Sequence, residues 1–419
     1  MLVQIKECLL VRRMLFPTGL PWKNIFDKGG PGSEGLPVTD LLTMEDHHSW
    51  IEISRRALHA NIQVFRSLLG PDRRLMCVVK SNAYGHGMID VSREVLAAGA
   101  DWLGVFSLDE GVALRDAGIN CPVLVLGPAG VPSFRRGLAA ELRMTVPSLH
   151  HAREFAAVRG IAGKVHLKLE TGTHRQGIEE ADIEEAISRL MDAGFEVEGA
   201  YTHYADIEDT TDHAFAQGQL ERFESLLARC RALGAAIPMP HTACTAATIL
   251  FPETYFAMVR LGIGTFGLWP SRETRVSAQT LGRNRLPLLP VMAWKSRISQ
   301  IRDIATGDFV GYGRTYRATR AAKIAIVPVG YADGYSRALS NGANTLVRGM
   351  RARVAGRICM NLMMIDVTDI PGAAPGDEVI LLGAAGDEKV TAEDLAAIAG
   401  TINYEIVTRA APYAPRILV

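Results

Sequence analysis

LMCVVKSNAYGHG, residues 75–87, reads as a short apolar strand that runs into a lysine and then into a polar loop broken by glycine. Seven further apolar runs follow at the spacing of βα units: WLGVF (102–106), PVLVLG (122–127), RMTV (143–146), VHLKLE (165–170), VEGAYTH (197–203), IPMPH (237–241) and MVRLGI (258–263). Segments of helical period lie between them, and apolar strands that alternate with helices mark a parallel sheet. In ADIEEAISRLMDAG, Ile183, Ile187, Leu190 and Met191 fall at i, i+4, i+7 and i+8, with Gly194 ending the helix. Eight such strands predict a closed (β/α)8 barrel, an α/β fold, with an open doubly wound sheet as the structural alternative. IPMPH is the weakest of the eight, because its two prolines cannot donate to a ladder.

Outward from the barrel the pattern changes. After Pro290 short β-type runs follow one another, AWKSRISQI, KIAIVPVG, ANTLVRG, MRARVAG, LMMIDV and DEVILLG, with one helix at about 391–399. The expected division is therefore a barrel over 49–290 and a C-terminal β-rich domain over 291–419. WIEIS, at 50–54, precedes the first barrel unit and is a candidate to pair with the second domain. Residues 17–48 are rich in Gly, Pro and charge, so 1–48 is expected to be a loose extension. Met44 lies just upstream of the folded part and suggests an over-extended translation start.

The chain has 419 residues with 45 Lys plus Arg against 45 Asp plus Glu. That balance leaves no basic surplus for a nucleic-acid backbone. No run approaches the roughly 18 apolar residues that a membrane-spanning helix needs. Six scattered cysteines without a CxxC pair read as reduced, and the first 16 residues lack a signal-peptide cleavage site, so a cytoplasmic location is expected. The 11 histidines form no HExxH motif or Cys/His cluster of ligand spacing, which argues against a metal. Neither GxGxxG after a strand nor a phosphate loop ending GK[ST] occurs.

The position of Lys80 carries the first functional signal. It ends the first barrel strand, on the face where barrel enzymes build their active sites, although a lysine snorkelling at a strand end would look the same. Asn82, Tyr84, Gly85, His86 and Gly87 make the loop beyond it polar and flexible.

VVKSNAYGHG strongly resembles the cofactor-lysine motif of alanine racemases, pyridoxal-phosphate enzymes built on a barrel plus a β-domain. Further motifs fall in the family's order: LKLETGTHRQGI, THYADIED, HTACTAATIL, MVRLGIGTFG, VGYGRTY, PVGYADGY, GRICMNLMMIDV, GDEVILLG and TINYEI. The resemblance runs from about residue 50 to 416. It implies that Lys80 forms the Schiff base with pyridoxal 5'-phosphate, so its pKa must fall from about 10.4 for it to attack an aldehyde. It implies that Arg260 faces the pyridine nitrogen, where a guanidinium cannot accept a proton, and that His203 contacts Arg260. Thr245, the amides of Gly262 and Ile263, Tyr84 and Tyr404 would hold the phosphate, although a helix cap would explain Thr245 equally well. Inverting a carbon needs an acid-base group on each face, and Tyr312 would supply the second from the partner subunit of a homodimer. Alone, a tyrosine between two glycines reads as a turn aromatic. Arg175 and Met360 would contact the substrate, Tyr331, Arg337 and Arg357 would line the entry channel, and Lys168 matches a lysine that some members carry as a carbamate.

Three segments depart from the family pattern. GTHRQG stands where GMGRLG is usual, Cys244-Thr245 replaces Asn-Ser, and Asn361 replaces an aspartate. Thr245 keeps the hydroxyl. His174, Gln176 and Asn361 put the side-chain preference in doubt. The implied activity is interconversion of L-alanine and D-alanine, supplying D-alanine for peptidoglycan. The alternatives are a serine or broad-range racemase, a pyridoxal-phosphate decarboxylase, whose cysteine motif has no match here, and a non-catalytic pyridoxal-phosphate carrier.

Overall fold

The computed structural model describes residues 47–419 except 159, 161, 284 and 285. The expected loose extension, up to residue 46, lies outside the described residues. Residues His48–Val419 form one compact unit.

After strand β1 (Ser49–Ile53), the chain builds eight parallel strands: β2 (Arg74–Val78), β3 (Trp102–Val105), β4 (Val123–Val125), β5 (Arg143–Val146), β6 (Lys164–Lys168), β7 (Glu196–Tyr201), β8 (Met239–His241) and β9 (Met258–Leu261). Each pairs with its sequence neighbour from β2 to β8, and β9 returns to pair with β2. The remaining gap is bridged by two backbone bonds, from Ala257 N–H to Pro240 C=O at 3.1 Å and from Arg260 N–H to Ala243 C=O at 2.9 Å. This sequential order is a nearly closed barrel and rules out the doubly wound alternative, whose strand order reverses at a switch point.

Seven of the eight strands are shorter than their apolar runs, and β5 matches RMTV. IPMPH contributes only three residues, as its prolines require, and Lys80 lies beyond the end of β2. Helix Ile183–Asp192 buries Ile183, Ala186, Ile187 and Leu190, whereas Met191, expected on that face, is 41% exposed in the last turn. Inside the barrel Met76, Trp102, Leu124 and Met258 form a separate apolar layer, and His166 and His241 are fully buried.

β10 (Met292–Arg297) begins the second sheet. Its strand order is 300–304, 322–327, 363–366, 350–354, 344–347, 378–385, β10, β1, 416–418. β1 lies antiparallel to β10, with Ser49 opposite Ser296 and Ile53 opposite Met292, and parallel to the final strand. The run AWKSRISQI breaks in two. Ile298 N–H bonds Asp377 C=O and Ser299 N–H bonds Ile326 C=O, both at 2.9 Å, which hands the chain to a different neighbour. Thr391 caps the late helix Ala392–Ala399, with Asp394 returning the bond. A second helix, Asn403–Arg409, was not expected from TINYEI.

Buried Asn61, on the first barrel helix, fastens the barrel to the crossover into the second sheet. Its side-chain amide donates to Thr265 C=O at 3.2 Å and Leu289 C=O at 2.9 Å, and its oxygen accepts from Leu289 N–H at 2.8 Å. Asn61→Ala strands these buried groups and should destabilise the fold by about 2–3 kcal/mol. Urea unfolding measures this, and an unmoved midpoint would contradict the role.

Candidate active site

Lys80 opens a single turn with left-handed geometry. Ser81, Asn82, Ala83 and Tyr84 all have φ of 53–54°, a conformation that costs L-residues roughly 1–2 kcal/mol each. Three side chains hold the turn. Glu110 accepts from Ser81 N–H at 2.6 Å, Asn82 accepts from Met88 N–H at 2.8 Å, and His86 Nδ1 lies 3.0 Å from the carbonyls of Ala83 and Tyr84. Glu110 also accepts from Phe106 and Ser107 N–H, so it ties the turn to the end of β3. The result aims Lys80 and Tyr84 at one cavity of about 900 Å³ at the C-terminal mouth of the barrel.

Arg260, third residue of β9, is buried under the same cavity. One terminal nitrogen donates to His241 Nδ1 at 2.8 Å and His241 C=O at 2.9 Å. The other donates to Thr202 C=O at 2.8 Å and Thr242 C=O at 2.9 Å, and lies 3.5 Å from His203 Nδ1. The guanidinium also sits over the Tyr201 ring at 5.2 Å. Burial, then the Arg260 charge, lowers the pKa of His203 well below the ordinary histidine value, so the ring is neutral.

The loops after β8 and β9 meet at Thr245. Cys244, not Thr245, is the N-cap of the short helix Thr245–Leu250. The Thr245 hydroxyl instead accepts from Gly262 N–H at 3.1 Å and Gly264 N–H at 3.3 Å, which leaves its own proton to donate. A side chain at 262 would put its Cβ 2.8 Å from the Tyr84 hydroxyl, so this concavity exists only because 262 is glycine. Tyr404, from the unexpected helix, completes the wall with its ring 6.2 Å from that of Tyr84. Its hydroxyl donates to Glu208 at 2.9 Å. Burial raises the pKa of the Glu208 carboxyl, which favours its neutral form.

Lys168 and Arg175 line the remaining wall with Gln176. Among the described residues, neither they nor Lys80 forms an ion pair with a carboxylate. Burial first, then the Arg175 charge, lowers the Lys80 pKa from its ordinary value. Burial, then Arg175 and Arg260, brings Lys168 to about 8. Arg175 is thus the cation that chiefly acts on Lys80. The cavity as a whole attracts anions and lowers the pKa of both its amines.

The other expected residues lie elsewhere in the single chain. Tyr312 is 71% exposed at the tip of a small hairpin, 309–310 against 316–317. Arg357 lies over that tip, its guanidinium within 3.1 Å of where a Cβ on Gly313 would be. Met360 and Asn361 are exposed, and Tyr331 and Arg337 border a different cavity. Sequence reasoning missed Glu110, Tyr201, Glu208 and His241. Glu208 stood inside the quoted THYADIED motif, and the Ser107/Glu110 spacing is that of a capping box, which could have drawn attention to Glu110. Among the described residues no group of His, Cys, Asp and Glu could hold a metal ion, and no helix is long and apolar enough to cross a membrane.

Two family models match the chain, "Alanine racemase, N-terminal domain" over residues 53–270 and "Alanine racemase, C-terminal domain" over 291–418. Alanine racemases of Leptospira interrogans and Methanococcus maripaludis are each 39% identical to it, over 90% and 89% of this chain and 97% and 99% of theirs. The crystal structure of alanine racemase from Bacillus anthracis with bound L-Ala-P superposes with a TM-score of 0.83 at 33% identity, covering 89% of this chain and 95% of that one. Barrel, β-rich domain and these matches together define an isomerase of the amino-acid racemase class. The chain belongs to the alanine racemase family.

Replacing Arg175 by Gln removes a cation that favours neutral Lys80, so the Lys80 pKa should rise. Amine titration by NMR of the reductively methylated, cofactor-free protein measures it. A pKa that stays put or falls would contradict the electrostatic assignment.

Proposed function

We propose that this racemase interconverts L-alanine and D-alanine, with pyridoxal 5'-phosphate held at the barrel mouth and with Lys80 and Tyr312 as the two acid-base groups. The observation that carries this reading is the concavity at Gly262, which a single Cβ would fill, opening beside the amine of Lys80. The residues present fit the cofactor. The Thr245 and Tyr84 hydroxyls and the Ile263 amide suit its phosphate as donors, and the Gly262 amide and Tyr404 hydroxyl would join them by turning from Thr245 and Glu208. Arg260 suits its ring nitrogen, and Arg175 its phenolic oxygen and the substrate carboxylate.

When bound, the cofactor withdraws electrons from the substrate's α-carbon and so acidifies the α-proton. Lys80, whose pKa burial and Arg175 lower, takes or returns that proton on one face. The Tyr312 phenol does the same on the other face. Arg260 can donate but not accept a proton, so it limits how much negative charge the ring nitrogen side can store. This favours prompt return of the proton to carbon over other outcomes.

Because Tyr312 lies exposed and away from the Lys80 cavity, a second copy of the chain would have to supply it, together with Met360 as a substrate contact and Tyr331, Arg337 and Arg357 along the entry path. This supports a homodimer with shared sites, and a division of labour at 290/291 between a cofactor-binding barrel and a β-domain carrying the second base. Production of D-alanine for peptidoglycan in the cytoplasm is the proposed role. Gln176 on the cavity wall favours a polar side chain such as serine as the second reading.

Chiral chromatography of single L-amino acids incubated with the holoenzyme should show D-alanine as the main product. Lys80→Ala and Tyr312→Phe should each lower kcat by at least about a hundredfold. Comparable inversion of serine would favour the second reading. Release of carbon dioxide without inversion would overturn the proposal, and so would full activity of either variant.

A further inference from the structure

We infer that Glu198, at the mouth of the barrel opposite the cavity, is a positioning residue for Arg260 and acts through two buried histidines. Three hydrogen bonds run in line through the barrel interior. Arg260 Nη1 meets His241 Nδ1 at 2.8 Å, His241 Nε2 meets His166 Nδ1 at 2.9 Å, and His166 Nε2 meets Glu198 Oε2 at 3.3 Å.

The chemistry of the two ends fixes every proton between them. A guanidinium has only N–H groups, so His241 Nδ1 must accept and carries no proton. Neutral His241 then bears its proton on Nε2 and donates it to His166 Nδ1. His166 in turn bears its proton on Nε2 and donates it to the carboxylate, which has none to give. A second proton on either ring would set two N–H groups face to face. Both rings have no exposed surface, and burial is the leading cause that lowers their pKa values. Glu198 itself stays ionised. Burial would raise its pKa, but bonds from His166 and Lys164 hold it at about 2.

The far end is anchored and the path is built. Lys164 Nζ donates to Glu198 at 2.8 Å and Arg143 Nε at 3.2 Å, and Asp101, Trp102 and Met239 border the same small cavity. A Cβ on Gly199 would lie 2.3 Å from His166 Nδ1 and 2.7 Å from Met239 C=O, so β7 omits a side chain beside Glu198 to admit the ring. The carboxylate thereby answers the Arg260 charge across the barrel and keeps its Nη1 drawn inward. The Arg260 Nε makes no bond among the described residues, and it is left for the cavity that Arg260 borders. The functional half of this inference rests on the reading that Arg260 faces the cofactor ring; the proton order does not.

The test is 15N NMR of histidine-labelled protein, cofactor-free and holo, with Glu198→Gln and Glu198→Asp alongside. Both rings should be neutral and protonated on Nε2 from about pH 6 to 9. Glu198→Gln should shift the His166 and His241 resonances and lower kcat about tenfold with little change in KM, while Glu198→Asp restores part of the loss. A wild-type ring protonated on Nδ1, or on both nitrogens, would overturn the relay even if the variants fail to fold. Unmoved resonances in Glu198→Gln would overturn it too, and so would a lower unfolding midpoint as its only effect. An inactive wild type with the expected tautomers would instead sink the proposed function and leave the proton order standing.

Discussion

A buried guanidinium with no carboxylate beside it among the described residues is the constraint around which the barrel mouth is arranged. Removing such a charge from water is costly unless every N–H finds an acceptor. At its two terminal nitrogens Arg260 meets this with the carbonyls of Thr202, His241 and Thr242 and the ring of His241, all at the ends of β7 and β8. The two backbone bonds that close the barrel, from Ala257 to Pro240 and from Arg260 itself to Ala243, flank the acceptors His241 and Thr242. Closure of the fold and placement of the cation are one arrangement.

The opposite wall is set by a different expense, the left-handed turn of 81–84. Its strain is sustained because Glu110, Asn82 and His86 answer its backbone groups, and in return Lys80 and Tyr84 face the same space. The second domain contributes to that space directly. Asn403 donates to Trp269 C=O at 2.9 Å and to Glu393 at 3.0 Å, which seats the helix bearing Tyr404 against the barrel. Without the β-domain, the concavity at Gly262 would lack one of its walls.

Sequence reading recovered what short-range pattern encodes. Apolar runs with turn signals gave all eight barrel strands, because parallel strands buried on both faces read as continuous hydrophobic stretches. Lys80 was legible because it stands at a strand end, whereas Arg260 and Thr245 took their roles from the resemblance. What escaped depended on three-dimensional company. His241 looks like the last residue of a poor, proline-rich strand, and only the cross-barrel neighbours His166 and Arg260 give it a role. The helix at 403–409 is too short for a clear period. The break in AWKSRISQI depends on which strands compete for Ile298 and Ser299. Tyr312 was singled out by resemblance alone, and nothing in its local sequence distinguishes it from a turn residue.

The central claim is that one chain holds an incomplete site, with Lys80 in the cavity and Tyr312 exposed for a second copy. Co-expression of a Lys80→Ala chain with a Tyr312→Phe chain tests this most directly. Each variant alone should be nearly inactive. In a mixed dimer, one site would receive both defects and the other neither, so random pairing should restore roughly a quarter of wild-type racemisation. No recovery, despite mixed dimers shown by differential tagging, would contradict the account.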